Sequence, residues 1–124
     1  GATTPGYFRA MQDRRIALAL TQVHSRPQAA WTVAAMAKTV AMSPSRFAAR
    51  FRAAANQSPM AYVTHWRMTL ACRQLLEHPH DGFTEVAQRV GYSDVAAFSR
   101  AFKNHLGASP RAWRQQRLPN QREA

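Results

Sequence analysis

The chain has 124 residues, 46% of them hydrophobic, which is room for one ordinary domain or two very small ones and excludes wholesale disorder and most multi-domain enzyme architectures. Alanine supplies 24 residues while β-branched residues are sparse, so helix is favoured over sheet, and no apolar run approaches the ~20 residues of a bilayer span. Seventeen Lys and Arg against six Asp and Glu give a formal net charge of +11, self-repulsive unless a polyanion is the working partner.

In chain order, residues 1–6 read as a frayed end, and Asp13–Ser25, with Ile16, Leu18, Leu20 and Val23, as an opening helix. Thr32 is placed to cap Val33–Val40, whose apolar positions 33, 36, 37 and 40 follow helical spacing. Ala41-Met42 is a tight turn. Ser43 then caps a second helix with Pro44 at its first position, and Phe47 and Phe51, four apart, mark its buried face. Ser58-Pro59 starts a continuous helix over Pro59–Glu77, with Tyr62, Val63, Trp66, Leu70 and Leu75 or Leu76 on its apolar face. At 1.5 Å per residue this helix is about 28 Å long. His78-Pro79-His80-Asp81-Gly82 breaks it. Phe83–Val90 is the next helix, Gly91-Tyr92 a turn, and Ser93 or Asp94 caps a helix to about Leu106, stopped by Gly107. Ser109-Pro110 opens a closing helix through Trp113, and residues 118–124 read as a second frayed end.

One unit is written twice. Val33, Met36, Ala37, Val40, Ala41 and Met42 are answered fifty positions later by Phe83, Val86, Ala87, Val90, Gly91 and Tyr92. At an offset of 51, Phe47 and Phe51 meet Phe98 and Phe102, Arg52 meets Lys103, and Tyr62 meets Trp113. Each copy reads as helix, tight turn, helix, and two copies suit a paired binding device better than a solenoid.

Charge supports the DNA-binding form of that motif. No acidic residue stands between Asp13 and Glu77, or between Asp94 and Glu123, whereas arginines run through both stretches. A second helix of this kind fits the roughly 12 Å major groove, with its outer face carrying the side chains that reach bases. With the Phe pairs inward, the first copy presents Ser45, Arg46, Ala48, Ala49 and Arg52, and the second Val95, Ala96, Ser99, Arg100 and Lys103. Base contacts are expected from Ser45, Arg46, Ala49, Val95, Ala96, Ser99 and Arg100. Arg52 and Lys103, further along their helices, join Thr32, Ser43, Arg67, Arg89 and Arg111 as expected phosphate contacts, which position without specifying sequence.

At these residues the chain resembles the AraC/XylS family of bacterial transcription regulators, over about residues 13–117. The first motif runs from Trp31 to Phe51, and the linker carries Trp66-Arg-Met-Thr-Leu-Ala71 with Leu75-Leu76. The most specific stretch is Val86 to Lys103, continued by Gly107-Ala-Ser-Pro-Arg-Ala-Trp113. The resemblance implies an all-α domain over residues 7–124, with seven helices in two helix-turn-helix subdomains (about 13–58 and 81–117) joined by the helix 59–77. Two recognition helices would then enter successive major grooves of an asymmetric double-stranded site, in a cytoplasmic regulator. Ala41 and Asn56 stand where the family usually has Gly, and Gly82 where it has a Ser or Thr cap. Ala48 and Ala49 leave the first recognition helix few polar readers, so Arg46 and the second copy are expected to carry more of the base readout.

The family resemblance also implies RNA polymerase as a partner and a separate sensor or dimerisation domain, with this chain a monomeric fragment; a standalone regulator is the other reading. No membrane, cofactor or metal is expected, nor enzyme activity. No nucleophile elbow or phosphate-binding loop appears, His78-Pro-His80 lacks further ligands nearby, and Cys72 reads as a small core residue. Two alternatives stay open: the targeting module of a DNA-acting enzyme, and a basic helical protein-interaction module.

Overall fold

Local signals decide where each helix starts. The computed structural model describes residues 13–118, and among them the chain forms seven helices and no strand. They are α1 (Arg14–Ser25), α2 (Val33–Thr39), α3 (Pro44–Ala55), α4 (Pro59–Glu77), α5 (Phe83–Arg89), α6 (Val95–Leu106) and α7 (Pro110–Arg117). Residues 1–6 and 119–124, expected to fray, lie outside the described residues, as do 7–12 at the start of the expected domain. Leu118 is not frayed: it is the C-cap of α7, its N–H donating to the Arg114 carbonyl.

Side-chain oxygens accept from the otherwise orphaned N–H groups of the first turns. Asp13 Oδ1 accepts from Arg15 and Ile16, Thr32 from Ala35, Ser43 from Arg46, Ser58 from Ala61 and Ser109 from Ala112. Asp94, not Ser93, caps α6, accepting from the Ala96 N–H at 3.0 Å. Gly82 opens α5 with no side-chain cap.

The two helix-turn-helix corners close alike. The Met42 N–H donates to the Ala37 carbonyl at 3.0 Å and the Tyr92 N–H to that of Ala87 at 2.8 Å. Between them, Ala41 takes φ 56° and Gly91 φ 110°. That closure ends α2 at Thr39 and α5 at Arg89, one residue before the expected Val40 and Val90. Asn56 (φ 59°) and Gly107 (φ 84°) turn the chain left-handed after α3 and α6. Ala41, with a Cβ and no side-chain amide to compensate, carries the strain of the first corner.

The chain divides into two compact units at Trp66/Arg67, within α4. The expected linker helix is therefore not a bare spacer, since each half supplies a core. The first core joins Ile16, Leu20 and Val23 of α1 to Met36, Ala37, Phe47, Phe51, Tyr62 and Val63. The second joins Met68, Ala71 and Leu75 to Val86, Val90, Phe98, Phe102 and Trp113. Leu76 is exposed, so Leu75 is the one of that pair that packs.

A half-buried titratable group borders the first core. His24 Nε2 hydrogen-bonds Tyr62 Oη at 2.7 Å, and its ring lies 4.4 Å from that of Trp66. Burial pushes the imidazole below its ordinary value of 6.5. Below pH 6.5 the unfolded chain takes up a proton that folded His24 resists. Stability is thus full above 6.5, falls as pH drops from there to the lowered folded value, and levels off beneath it. Urea midpoints of the first unit should follow that course, and His24→Phe should flatten it.

Candidate nucleic-acid interface

Phe47 and Phe51 in α3, and Phe98 and Phe102 in α6, are wholly buried, which fixes how each helix is rotated about its axis. The Phe51 ring meets Tyr62 edge-on at 5.9 Å, and Phe102 meets Trp113 edge-on at 5.8 Å, so the residues paired at offset 51 play the same part in each unit. At about 100° of rotation per residue, position 49 in α3 and position 100 in α6 face directly away from these rings, with 45 and 53, and 96 and 104, one turn before and after them and about 40° to either side. All six are exposed. Arg46 flanks the first stripe on one side, with Arg52 and Lys103 at equivalent positions on the other; these too are exposed.

Sequence reasoning missed Ala53 and Asn104, although each stands four residues after an expected reader, on the same helical stripe. Val95 is half-buried against the second core, not presented outward. Ser99 is half-buried and turns aside, lining a small open cavity of about 250 Å³ with Phe83, Ser109, Pro110 and Arg111. Ala48 is likewise half-buried. Thr32 and Ser43 stay exposed at their helix N-termini, with their oxygens engaged as caps.

The expected phosphate contacts divide by their electrostatic surroundings. Arg67 departs from expectation: it is 9% exposed, and its guanidinium lies over the Tyr92 ring, 5.7 Å from the centroid. A cation so enclosed is engaged in packing here and is not presented on the surface. Arg89 is exposed but committed, donating to Asp81 and Gln74 and lying 3.6 Å from Glu85. The hydrogen bond from Arg89 holds the Asp81 carboxyl below the usual carboxylate range. Arg111 is exposed with its guanidinium over the Phe83 ring at 5.2 Å, and Arg114 covers the same ring at 4.5 Å.

In the first unit Asp13 takes Arg50 as its partner. Burial raises the Asp13 carboxyl, but the hydrogen bonds from Arg50 and the Ile16 and Arg15 amides, with the Arg50 charge, outweigh it and leave the pKa lowered. These pairs use Asp13, Asp81 and Glu85 on Arg50 and Arg89, away from the outermost stripes. Among the described residues, Arg46, Arg52, Arg100 and Lys103 make no side-chain hydrogen bond or ion pair, so their charge faces outward undiminished.

Two further expectations bear on chemistry. Among the described residues no three His, Cys, Asp or Glu side chains are grouped so as to hold a metal ion, and no helix is long and apolar enough to cross a membrane. Cys72 is half-buried, and burial pushes its thiol up, away from the reactive thiolate.

Residues 36–116 match the family described as "Helix-turn-helix domain". An AraC-like transcription regulator of Streptomyces lividans is 43% identical over 109 residues, covering 88% of this chain and 36% of the relative. The HTH-type transcriptional regulator AlkR of Acinetobacter baylyi is 36% identical over 110 residues, covering 89% of this chain and 36% of the relative. The chain thus spans little more than a third of the length of these relatives. An AraC-type DNA-binding-domain regulator from Chromobacterium violaceum has the same fold, with a TM-score of 0.76 at 23% identity over 88% of this chain and 96% of that one. The DNA-binding domain of the transcriptional factor AdpA, solved with a target DNA, superposes with a TM-score of 0.75 at 29% identity over 83% of this chain and 95% of that one. A match running from the first helix-turn-helix into the closing helix, in the company of AraC-like regulators, settles the family: the chain belongs to the AraC-type helix-turn-helix domains.

Proposed function

We propose that this chain binds double-stranded DNA as part of a bacterial transcription regulator, with α3 and α6 as recognition helices in successive major grooves of an asymmetric site. The observation that carries this reading is the pairing, in each unit, of a buried Phe pair with an outward face bearing uncompensated basic side chains, Arg46 and Arg52 at the flanks in α3 and Arg100 with Lys103 in α6. A protein interface would be expected to pair such charge or bury apolar surface; a phosphate backbone accepts it as it stands. The AdpA domain, described with its target DNA, supports the same use of the fold. The two stripes differ in sequence, so a single chain suffices to read two unlike half-sites. Cytoplasmic DNA and, at a promoter, RNA polymerase are the partners this reading names.

Duplexes selected from a random pool, then titrated at several salt concentrations, test it. Affinity should fall steeply with salt, by roughly a thousandfold or more between 50 and 200 mM if six or more phosphates are contacted. Arg100→Ala should cost about 1–3 kcal/mol on the selected sequence and relax discrimination at one base pair. Lys103→Ala should weaken all sequences alike and lower the salt slope by about one. Salt-independent binding, or both variants binding like the parent, would refute the reading.

A further inference from the structure

The two outward stripes are built on equivalent positions but carry opposite chemistries. Aligned at the offset of 51 that superimposes the buried Phe pairs, Ala49 answers Arg100 and Ala53 answers Asn104. Ala49 and Arg100 point most directly away from each core, Ala53 and Asn104 stand one turn later on the same stripe, and all four are exposed. From its centre onward the outward stripe of α3, which begins at Ser45, is two methyl groups one turn apart, while that of α6, which begins at Ala96, is a guanidinium and a carboxamide one turn apart. Arg46 does not restore the symmetry, because its equivalent is the half-buried Ala97; its guanidinium flanks the alanines instead of replacing one.

In the major groove these surfaces select different bases. An Ala methyl can pack on the C5 methyl of thymine and can satisfy no base hydrogen bond. Arg suits guanine O6 and N7, and Asn suits adenine N6 and N7, each bidentately. A short alanine face also lets the helix axis sit deeper in the groove, which brings Ser45 and the flanking Arg46 within reach of base edges at the margin of the same half.

Resting on the DNA-binding reading above, we infer that the site has chemically unlike halves: the α3 half is read by thymine methyl groups against Ala49 and Ala53, with one flanking guanine for Arg46, and the α6 half by a guanine for Arg100 and an adjacent adenine for Asn104. The stripe 49/53 and 100/104 is thus the specificity-determining pair of each unit. Asn104 is a base reader, although it lies late in its helix beside Lys103.

The test uses the selected duplex with single-atom-group changes. Replacing thymine by uracil deletes the C5 methyl and preserves pairing. In the α3 half this should weaken binding about fourfold per methyl contacted, and in the α6 half it should have no effect. Replacing adenine by 7-deazaadenine in the α6 half should weaken the parent protein but not Asn104→Ala. Selection repeated with Ala49→Arg/Ala53→Asn should convert the α3 half from thymines to a guanine and adenine, leaving the α6 half unchanged. Indifference to uracil, together with an unaltered selection by the double variant, would overturn the inference while DNA binding stands. Failure to enrich any duplex would instead remove the underlying DNA reading, and this inference with it.

Discussion

Phe102→Ala is expected to lower the stability of the second unit by about 3–5 kcal/mol. The ring is wholly buried, with the Phe98 and Trp113 rings each 5.8 Å away, so its removal leaves a void bounded by large, rigid groups that cannot close over it. Whole domains have only about 5–15 kcal/mol of stability, and this core is built from little more than residues 67–118. The loss should therefore appear as cooperative opening of that unit. Amide hydrogen exchange checks it: protection should collapse in α5, α6 and α7 and persist in α1 and α2, which pack in the other core. Phe51→Ala, the equivalent change in the first unit, should reverse the pattern. A cost below about 1 kcal/mol for both variants would contradict the packing described.

The contrast between what local pattern reveals and what it conceals runs through both units. The Phe pairs, the caps at Thr32, Ser43 and Ser109, the Pro44 and Pro110 starts and the Gly107 stop are legible because each acts within one helical turn of itself. The duplication added long-range information, since a motif repeated at a fixed offset says which faces must be equivalent. What stayed hidden depends on partners far along the chain. His24 meets Tyr62 across 38 residues, and no periodicity in α1 announces a polar group at the edge of its core. Val95, three residues before Phe98 and seven before Phe102, lies on the inward face that the Phe pair itself defines, so its burial follows from helical spacing alone; Ser99 sits at the edge of that face, and its place beside Phe83 and residues 109–111 is tertiary. The outward placement of Asn104 was legible, four residues after Arg100, yet a rule that assigns the far end of the helix to phosphates passes over it. The basic side chains mislead most. Charge counted along the sequence cannot distinguish Arg100, which makes no ion pair, from Arg89, which has Asp81 and Glu85 beside it, or from Arg67, which is buried.

Arg67→Met is expected to reduce discrimination by the second unit without changing the salt dependence of binding. The guanidinium of Arg67 covers Tyr92, and Tyr92 in turn meets Phe98 edge-on at 5.7 Å while its N–H closes the turn onto the Ala87 carbonyl. These contacts lead from α4 to the N-terminal turn of the recognition helix α6. Burial lowers the pKa of the guanidinium, with the nearby Tyr92 opposing, yet an arginine so placed stays charged and attracts the face of the ring. Met keeps much of the apolar stem and removes the cation, so the loss should be on the order of 2 kcal/mol in stability, the scale of a desolvated cation–π contact. With Tyr92 released, Arg100 is no longer held at a fixed height over the groove, and the preference for its base pair should shrink. If Arg67 stays on the Tyr92 ring and touches no phosphate, the slope of log affinity against log salt should match the parent, whereas Lys103→Ala lowers it by about one. The two variants measured side by side decide the matter. If Arg67→Met lowers the slope as Lys103→Ala does and leaves base preference intact, Arg67 leaves the ring to bind the backbone, and its place beneath the recognition helix is not what positions the reader.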